Sequence, residues 1–467
     1  MIRKSGTRKW WFILVLMVVF IGILWWQHGQ KTKKGTINVE EILLQSELRN
    51  RTFNSTVQKI AEGKVSAYLM EEHSNPIVAI SFIFERAGVA YEPDEKAGIA
   101  QLVAAMLIEG AGEYNALQFK QISEQYGIKI GFSASMDDFS GYLIYPRQHQ
   151  DIAAKLLKAA LLRPMWDKKY LDLNKEKMLL ALQKQQEHPS NYLSYKFRDK
   201  IFAGHPYSRN ILGNQDTIPD LTAEDLANYH KTYLAQNNLI IGIAGDITKE
   251  KATTLLRELF AGLPEKNNLA KLEPLHLEFS GKEYKISRKI PQVITKFATE
   301  GTYRQDIDFY PLYLANYIFG EQGLNSRLSK VIREKEGLTY GIYTYLSISE
   351  ASALIVGSFS ATPDNFYAAK ELLLHEWQRL LQDGVSSEEL RQVKTSLINE
   401  FNLRFADIND ISDMLVTMQK YNLGQNFLDK RNDYINEVEL QEVNAAIKKY
   451  FSTMPDFVTI GDYEGEK

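Results

Sequence analysis

The chain contains no cysteine. That excludes disulfides, thiolate metal sites and a cysteine nucleophile, and it is compatible with an oxidising compartment. Histidine is scarce, with eight in 467 residues, at 28, 73, 149, 188, 205, 230, 276 and 375. No two of them fall within one helical turn, and neither H-E-x-x-H nor H-x-x-E-H occurs, so a helix-borne zinc site of the usual kind is missing. A G-x-S-x-G elbow and a Walker A loop are missing too. "GFSAS" (131–135) and "GSFSA" (357–361) alternate serine with other residues in the manner of a strand with one polar face. Carboxylates are numerous but scattered, and no acid/base pair stands out. Neither charge dominates: 55 Lys and Arg against 58 Asp and Glu leave a net charge of −3, which gives no case for a nucleic-acid partner.

One long apolar run is present. "WWFILVLMVVFIGILWW" (10–26) carries no charge and no proline, and it follows Arg3, Lys4, Arg8 and Lys9. A helix of that length spans about 25 Å, enough for a hydrocarbon core with tryptophan pairs at both interfaces. A signal peptide would have a shorter core and end in small residues, whereas this run leads into Gln27 and His28. The expectation is an uncleaved anchor at 1–28, single-pass in a bacterial inner membrane, with the positive end in the cytoplasm and the bulk facing the periplasm. Residues 29–50 read as a polar tether.

Beyond the tether one pattern runs twice. "KTYLAQNNLIIGIAGD" (231–246) is echoed by "KKYFSTMPDFVTIGD" (448–462), and each is preceded by an acidic, helix-like stretch. The offset of roughly 217 residues is far longer than a solenoid repeat, so the pattern predicts tandem homologous domains. "PIVAISFIFERAG" (76–88) and "SALIVGSFSA" (352–361) read as strands, and "DNFYAAKELLLHEWQRLLQDG" (364–384) as an amphipathic helix with a glycine stop. The fold class is therefore α+β, two domains at 51–262 and 286–467, each a mostly antiparallel sheet packed with helices. The polar, proline-bearing stretch 263–285 is the expected linker.

Within the first domain, "AGIAQLVAAMLIEGAG" (97–112) places Ile99, Leu102, Val103, Met106 and Leu107 on one helical stripe. The other face holds Gln101, Ala104 and Ala105, and it is conspicuously bare. The frame resembles that of the M16 peptidases, the insulinase and mitochondrial-processing-peptidase family, whose first domain has a helix opening G-L-A-H-x-x-E-H-M-L-F-x-G. Gly98, Ala100, Met106, Leu107 and Gly110 match it. "FAGHPYSRNILGNQDTIPDLTAEDLANYHKTYLAQNNLIIGIAGD" (202–246) is family-like as well. The resemblance covers residues 50–465. It puts Gln101 and Ala105 where the two zinc-ligand histidines belong and Ala104 where the catalytic glutamate belongs. The third ligand, a glutamate, falls near Asp172 or Glu176. Alanine can neither hold zinc nor accept a proton, so the resemblance implies a chain that binds no metal and has no catalytic residue of its own.

A second motif is kept. "NSRLSKVIREKEGLTYGIY" (325–343) resembles the family's S-R-L-x-x-x-[LI]-R-E-x-x-G-L-x-Y. Taken alone, Arg333 would pair with Glu334 or Glu336 on a solvated helix end, and Tyr340 would be core. The resemblance instead implies that Arg333 and Tyr340 contact substrate beside the zinc, the arginine bonding a peptide carbonyl and the tyrosine an oxyanion. It also implies that Gly320 and Gly323 shape the entry to the site. A zinc motif erased beside an Arg/Tyr motif retained implies the non-catalytic subunit of a heterodimeric zinc peptidase. Its partner would be a homologous chain with an intact H-x-x-E-H, carrying the zinc, and its substrates peptides. The alternative is a metal-free scaffold or peptide-binding protein of an envelope complex.

Overall fold

The computed structural model describes residues 56–401, 405 and 407–463. The expected anchor at 10–26 and the tether lie outside them, and among the described residues no helix is long and apolar enough to cross a membrane.

In the first half, β1 (Gln58–Glu62), β2 (Val65–Glu71) and β3 (Ile77–Phe84) precede α1 (Ile99–Met106) and a small hairpin of β4 (Gly110–Ala111) and β5 (Tyr114–Asn115). Then come α2 (Ala116–Gln125), β6 (Lys129–Ala134), β7 (Phe139–Pro146), α3 (Gln150–Leu162), α4 (Lys168–Glu187), α5 (Pro189–Ile201), α6 (Ala223–Tyr233), β8 (Leu239–Gly245) and α7 (Lys249–Phe260). The second half contains β9 (Glu283–Ser287), β10 (Val293–Glu300), α8 (Phe309–Asn316), β11 (Gly341–Ile348), β12 (Ala353–Ala361) and α9 (Pro363–Asp383). It ends with α10 (Ser387–Phe401), α11 (Ile408–Lys420), α12 (Phe427–Glu437), α13 (Leu440–Tyr450) and β13 (Asp456–Gly461). Between α8 and β11 lie two π-helical segments, Tyr317–Glu321 and Ser329–Lys335.

The strands form two mixed sheets, in the orders β1-β2-β8-β3-β7-β6 and β11-β12-β10-β13-β9. Read outward from the parallel pairs β2/β8 and β9/β13, the two have the same topology, with every other contact antiparallel. The first sheet adds only β1 at its edge. β9 starts at Glu283, inside the stretch that the sequence marks as linker, because Phe457–Gly461 needs a parallel neighbour to satisfy its edge.

Helices α1, α3 and α7 pack on one face of the first sheet around Phe82, Phe84, Phe139 and Phe260. On the second sheet α9 buries Trp377, which is fully covered and donates its indole N–H to the Phe451 carbonyl at 2.8 Å. The opposite faces are covered by exchange. α11, from the second half, lies across β2, β3 and β8, and α5, from the first half, lies across β10 and β13. At the first crossing Gly242 has no Cβ, and one placed there would sit 2.2 Å from the Ser412 carbonyl oxygen. Ser81 and Ser412 share a hydroxyl hydrogen bond of 2.7 Å across the same contact. The described residues of the two halves therefore form one compact unit.

Candidate functional site: an M16 frame without its metal ligands

α1 starts at Gly98, which has a φ of +100° and lies against Gly213 so closely that a Cβ on Gly213 would meet the Gly98 Cα at 2.6 Å. Glycine is required at both places by backbone contact and positive φ. The free amides of the first turn go to Glu92, whose carboxylate accepts from Gly98 N at 2.8 Å and Ala100 N at 3.1 Å. Glu92 is almost fully buried, and that burial pushes its carboxyl up to about 7 despite the two amide bonds.

The bare face is narrower than the sequence suggests. Ala104 is 3% exposed and belongs to the core, leaving Gln101 and Ala105 half-buried at the surface. The correction follows from packing: α1 is wedged between the sheet, α4 and α6, and a methyl at 104 fills the space between them. Gln101 is already engaged, its Nε2 donating to the Ala134 carbonyl at the end of β6 at 2.7 Å. On α4, Asp172 pairs with Lys168 at 2.6 Å on the surface and Glu176 is exposed. The α4 side chains that touch α1 are different ones: Asn174, with its amide nitrogen 3.5 Å from the Met106 sulfur, and Met178, packed beside Gly98. Neither alanine offers a donor atom and the only amide on this face is spoken for, so these residues do not fit zinc. Among the described residues no cluster of three or more His, Asp or Glu is placed to hold a metal.

The second motif divides into anchors and free groups. Arg327 is an anchor: its guanidinium grips Glu389 at 2.6 and 2.8 Å and also donates to the Gly384 carbonyl at 2.9 Å. Burial works against the Glu389 carboxylate, but Arg327 and Ser386 together bring it down to about 2. Ile332 is fully buried and Thr339 nearly so, with the Thr339 hydroxyl donating to the Ser360 carbonyl at 2.6 Å. Between these anchors Arg333 stands exposed on the π-helical segment Ser329–Lys335, without a hydrogen bond or ion pair among the described residues. Glu336, one of its sequence neighbours, pairs instead with Lys335 at 3.2 Å. Tyr340 is 76% exposed, so it is not core.

The two glycines differ. Gly320 is buried, and a Cβ there would strike Thr344 Oγ1 at 2.3 Å, so this glycine lets the π-helical turn lie on β11. This close contact is what the structure shows of Gly320, whose expected part in shaping the entry it does not address. Gly323 has a φ of +59° and open space around it.

The polar seam between the halves is not among the features read from the sequence. Tyr207, from the His205-Pro206-Tyr207 stretch, donates its hydroxyl to Asp137 at 2.6 Å and accepts from Ala351 N at 2.9 Å. Asp137 also accepts from Glu350 N at 3.0 Å, and Glu350 is held in turn by Arg86 at 2.9 Å and by the Tyr91 hydroxyl. The β6–β7 turn is thereby tied to the β11–β12 turn. A buried tyrosine with a hydroxyl to satisfy was the one available signal.

Comparison with known proteins agrees with this geometry. Residues 67–215 match the model of the insulinase family, peptidase family M16, and residues 220–397 match that of the peptidase M16 inactive domain. A Helicobacter pylori protein named as a non-peptidase homolog is 26% identical over 400 residues, covering 85% of this chain and 91% of its own. An uncharacterized zinc protease of Rickettsia felis is 25% identical over 402 residues, or 82% of this chain and 92% of its own. The crystal structure of a peptidase M16 inactive domain from Pseudomonas fluorescens superposes with a TM-score of 0.82 at 25% identity, covering 88% of this chain and 99% of that one. The periplasmic protease PqqL of Escherichia coli shares the fold at a TM-score of 0.72 and 13% identity, over 88% of this chain and 47% of that one. With both of its domain models matched in order and the metal ligands replaced, the chain belongs to the M16 peptidase family, as a member that lacks the zinc motif.

Proposed function

We propose that this chain is the non-catalytic, substrate-contacting subunit of a two-chain M16-type zinc peptidase that acts on peptides in the periplasm. The zinc and the catalytic glutamate come from a homologous partner with an intact H-x-x-E-H, and residues 10–26 anchor the chain in the inner membrane. The observation that carries this reading is the contrast between the two motifs. The positions of the zinc helix hold no donor set, whereas Arg333 and Tyr340 are fixed by buried neighbours and left exposed and, in the case of Arg333, unpaired. A guanidinium without a partner is suited to bind a peptide carbonyl, and an exposed phenol to donate to a developing oxyanion. Peptide recognition by strand addition uses the edge of a sheet, and β6 and β11 are the edge strands at the corresponding ends of the two sheets. Along β11 the ring centroids of Tyr343 and Tyr345 lie 6.3 Å apart beside that edge.

The test is a quenched-peptide cleavage assay with zinc on the full-length chain, alone and mixed with the H-x-x-E-H homologue from the same genome. Turnover only in the mixture, abolished by chelator, supports the reading. Silence in both moves the assignment to a scaffold or peptide-binding role, and turnover by this chain alone overturns it.

A further inference from the structure

The polar seam borders a half-open cavity of about 260 Å³, walled by the end of β3, the β6–β7 and β11–β12 turns, Lys271 of the linker, the loop between β10 and α8, and the end of α11. Most of its charges are settled internally. Arg86 pairs with Glu350, Lys420 with Asp138, and Asp137 accepts from Tyr207 and Glu350 N. Three charges are left without a hydrogen-bonded or ion-paired partner among the described residues: Glu85 from the first half, Arg304 from the second, and Lys271 from the exposed stretch between them. The Glu85 carboxylate takes no hydrogen bond or ion pair among the described residues, and burial together with nearby Asp138 raises its pKa. The Arg304 guanidinium has no carboxylate either. It lies over the Phe309 ring at 4.2 Å, with the Phe427 and Tyr310 rings at 5.7 and 5.8 Å, and burial lowers its pKa.

A carboxylate and a guanidinium on the same cavity, neither in an ion pair and not bonded to each other, complement a molecule that carries an ammonium and a carboxylate. Partly buried charges without partners are costly to keep, and a ligand bearing the opposite charges removes that cost. The planar fork of an arginine suits a carboxylate in particular. The volume falls just below the usual range for drug-sized ligands, which suits one or two amino-acid residues rather than a peptide chain. We infer that this seam cavity binds a small α-amino zwitterion, a free amino acid or a dipeptide, with its ammonium on Glu85 and its carboxylate on Arg304. Such a ligand bridges the first half to the second and stiffens the seam, independently of any zinc-bearing partner.

The experiment is thermal unfolding and calorimetric titration of the full-length chain, in detergent, with alanine and with alanyl-alanine. N-acetylalanine and alanine amide, each blocked at one end, serve as controls. The expected result is saturable binding with a raised Tm for at least one of the two zwitterions, lost when either end is blocked; the tighter of the two identifies the ligand class. Glu85→Gln and Arg304→Gln should each weaken it at least about tenfold, the loss of one charge-assisted contact. Arg304→Lys, which keeps the charge without the fork, should fall in between and covers the case of a misfolded glutamine variant. The inference is overturned if neither zwitterion binds saturably, if blocked ligands bind as well as free ones, or if the folded variants bind like the parent.

Discussion

Arg327 and Arg333 belong to one short motif and have opposite fates. The first is locked in a bidentate pair with Glu389 and the second is free. Their substitutions should therefore separate cleanly. Arg333→Ala or Tyr340→Phe should lower the turnover of the assembled peptidase by about 10²-fold, as loss of an oxyanion-type donor does, with Tm and assembly unchanged. Arg327→Ala should instead lower Tm, because it leaves Glu389 half-buried without its partner. Unfolding of the Arg333 variant would assign that residue a structural role. Glu92 supports a pH prediction. Its folded pKa of about 7 lies above the ordinary carboxylate value. The stability it contributes is thus fully present below the unfolded pKa and is lost as pH rises through about 7. The urea midpoint of the parent should fall between about pH 5 and pH 8 by more than that of Glu92→Gln, in which the linked proton is gone. Equal slopes for the two proteins would refute this.

At the scale of elements, much of the fold is legible in the sequence wherever a periodic pattern faces a core. The stripe Ile99-Leu102-Val103-Met106 is a buried helix face, β3 and β12 fall within the stretches read as strands, and α9 stops at Gly384 as its glycine signal says. The echo between 231–246 and 448–462 marks two equivalent pairs, α6 with β8 and α13 with β13. What periodicity cannot convey is which surface a stripe meets. α11 belongs to the second half of the chain, yet it covers the first sheet. Leu415→Ala, a fully buried side chain there, should destabilise the fold by about 2–5 kcal/mol. Hydrogen exchange in that variant should rise first in β3 and β8; protection there equal to the parent's would refute the coupling. The candidate site was legible by frame only. Matching letters located Gln101 and Arg333, but the burial of Ala104, the anchoring of Arg327 and the packing of Gly320 against Thr344 depend on neighbours distant in sequence. The linker shows the same limit: its polar composition hides Leu272, Leu275, Leu277 and Phe279, which lean on the first core.

At the scale of the whole molecule, the two sheets should unfold together, since each is covered by a helix of the other half and both are joined by the Tyr207 clasp. Calorimetry should show a single transition for the described body. Tyr207→Phe, which strands Asp137 and the Ala351 amide, should lower its stability by about 1–3 kcal/mol without splitting it. Two resolved transitions would show the halves to be separable. The exchange of helices also bears on synthesis. A ribosome delivers β2, β3 and β8 long before Ile408–Lys420. In the interval the first sheet can complete its ladders, but the face that holds Met70 and Ala244 stays open to water until α11 arrives. The nascent chain thus carries an uncovered apolar surface from the completion of β8 until Ile408–Lys420 is made, the situation in which chaperones are recruited and premature collapse competes with folding.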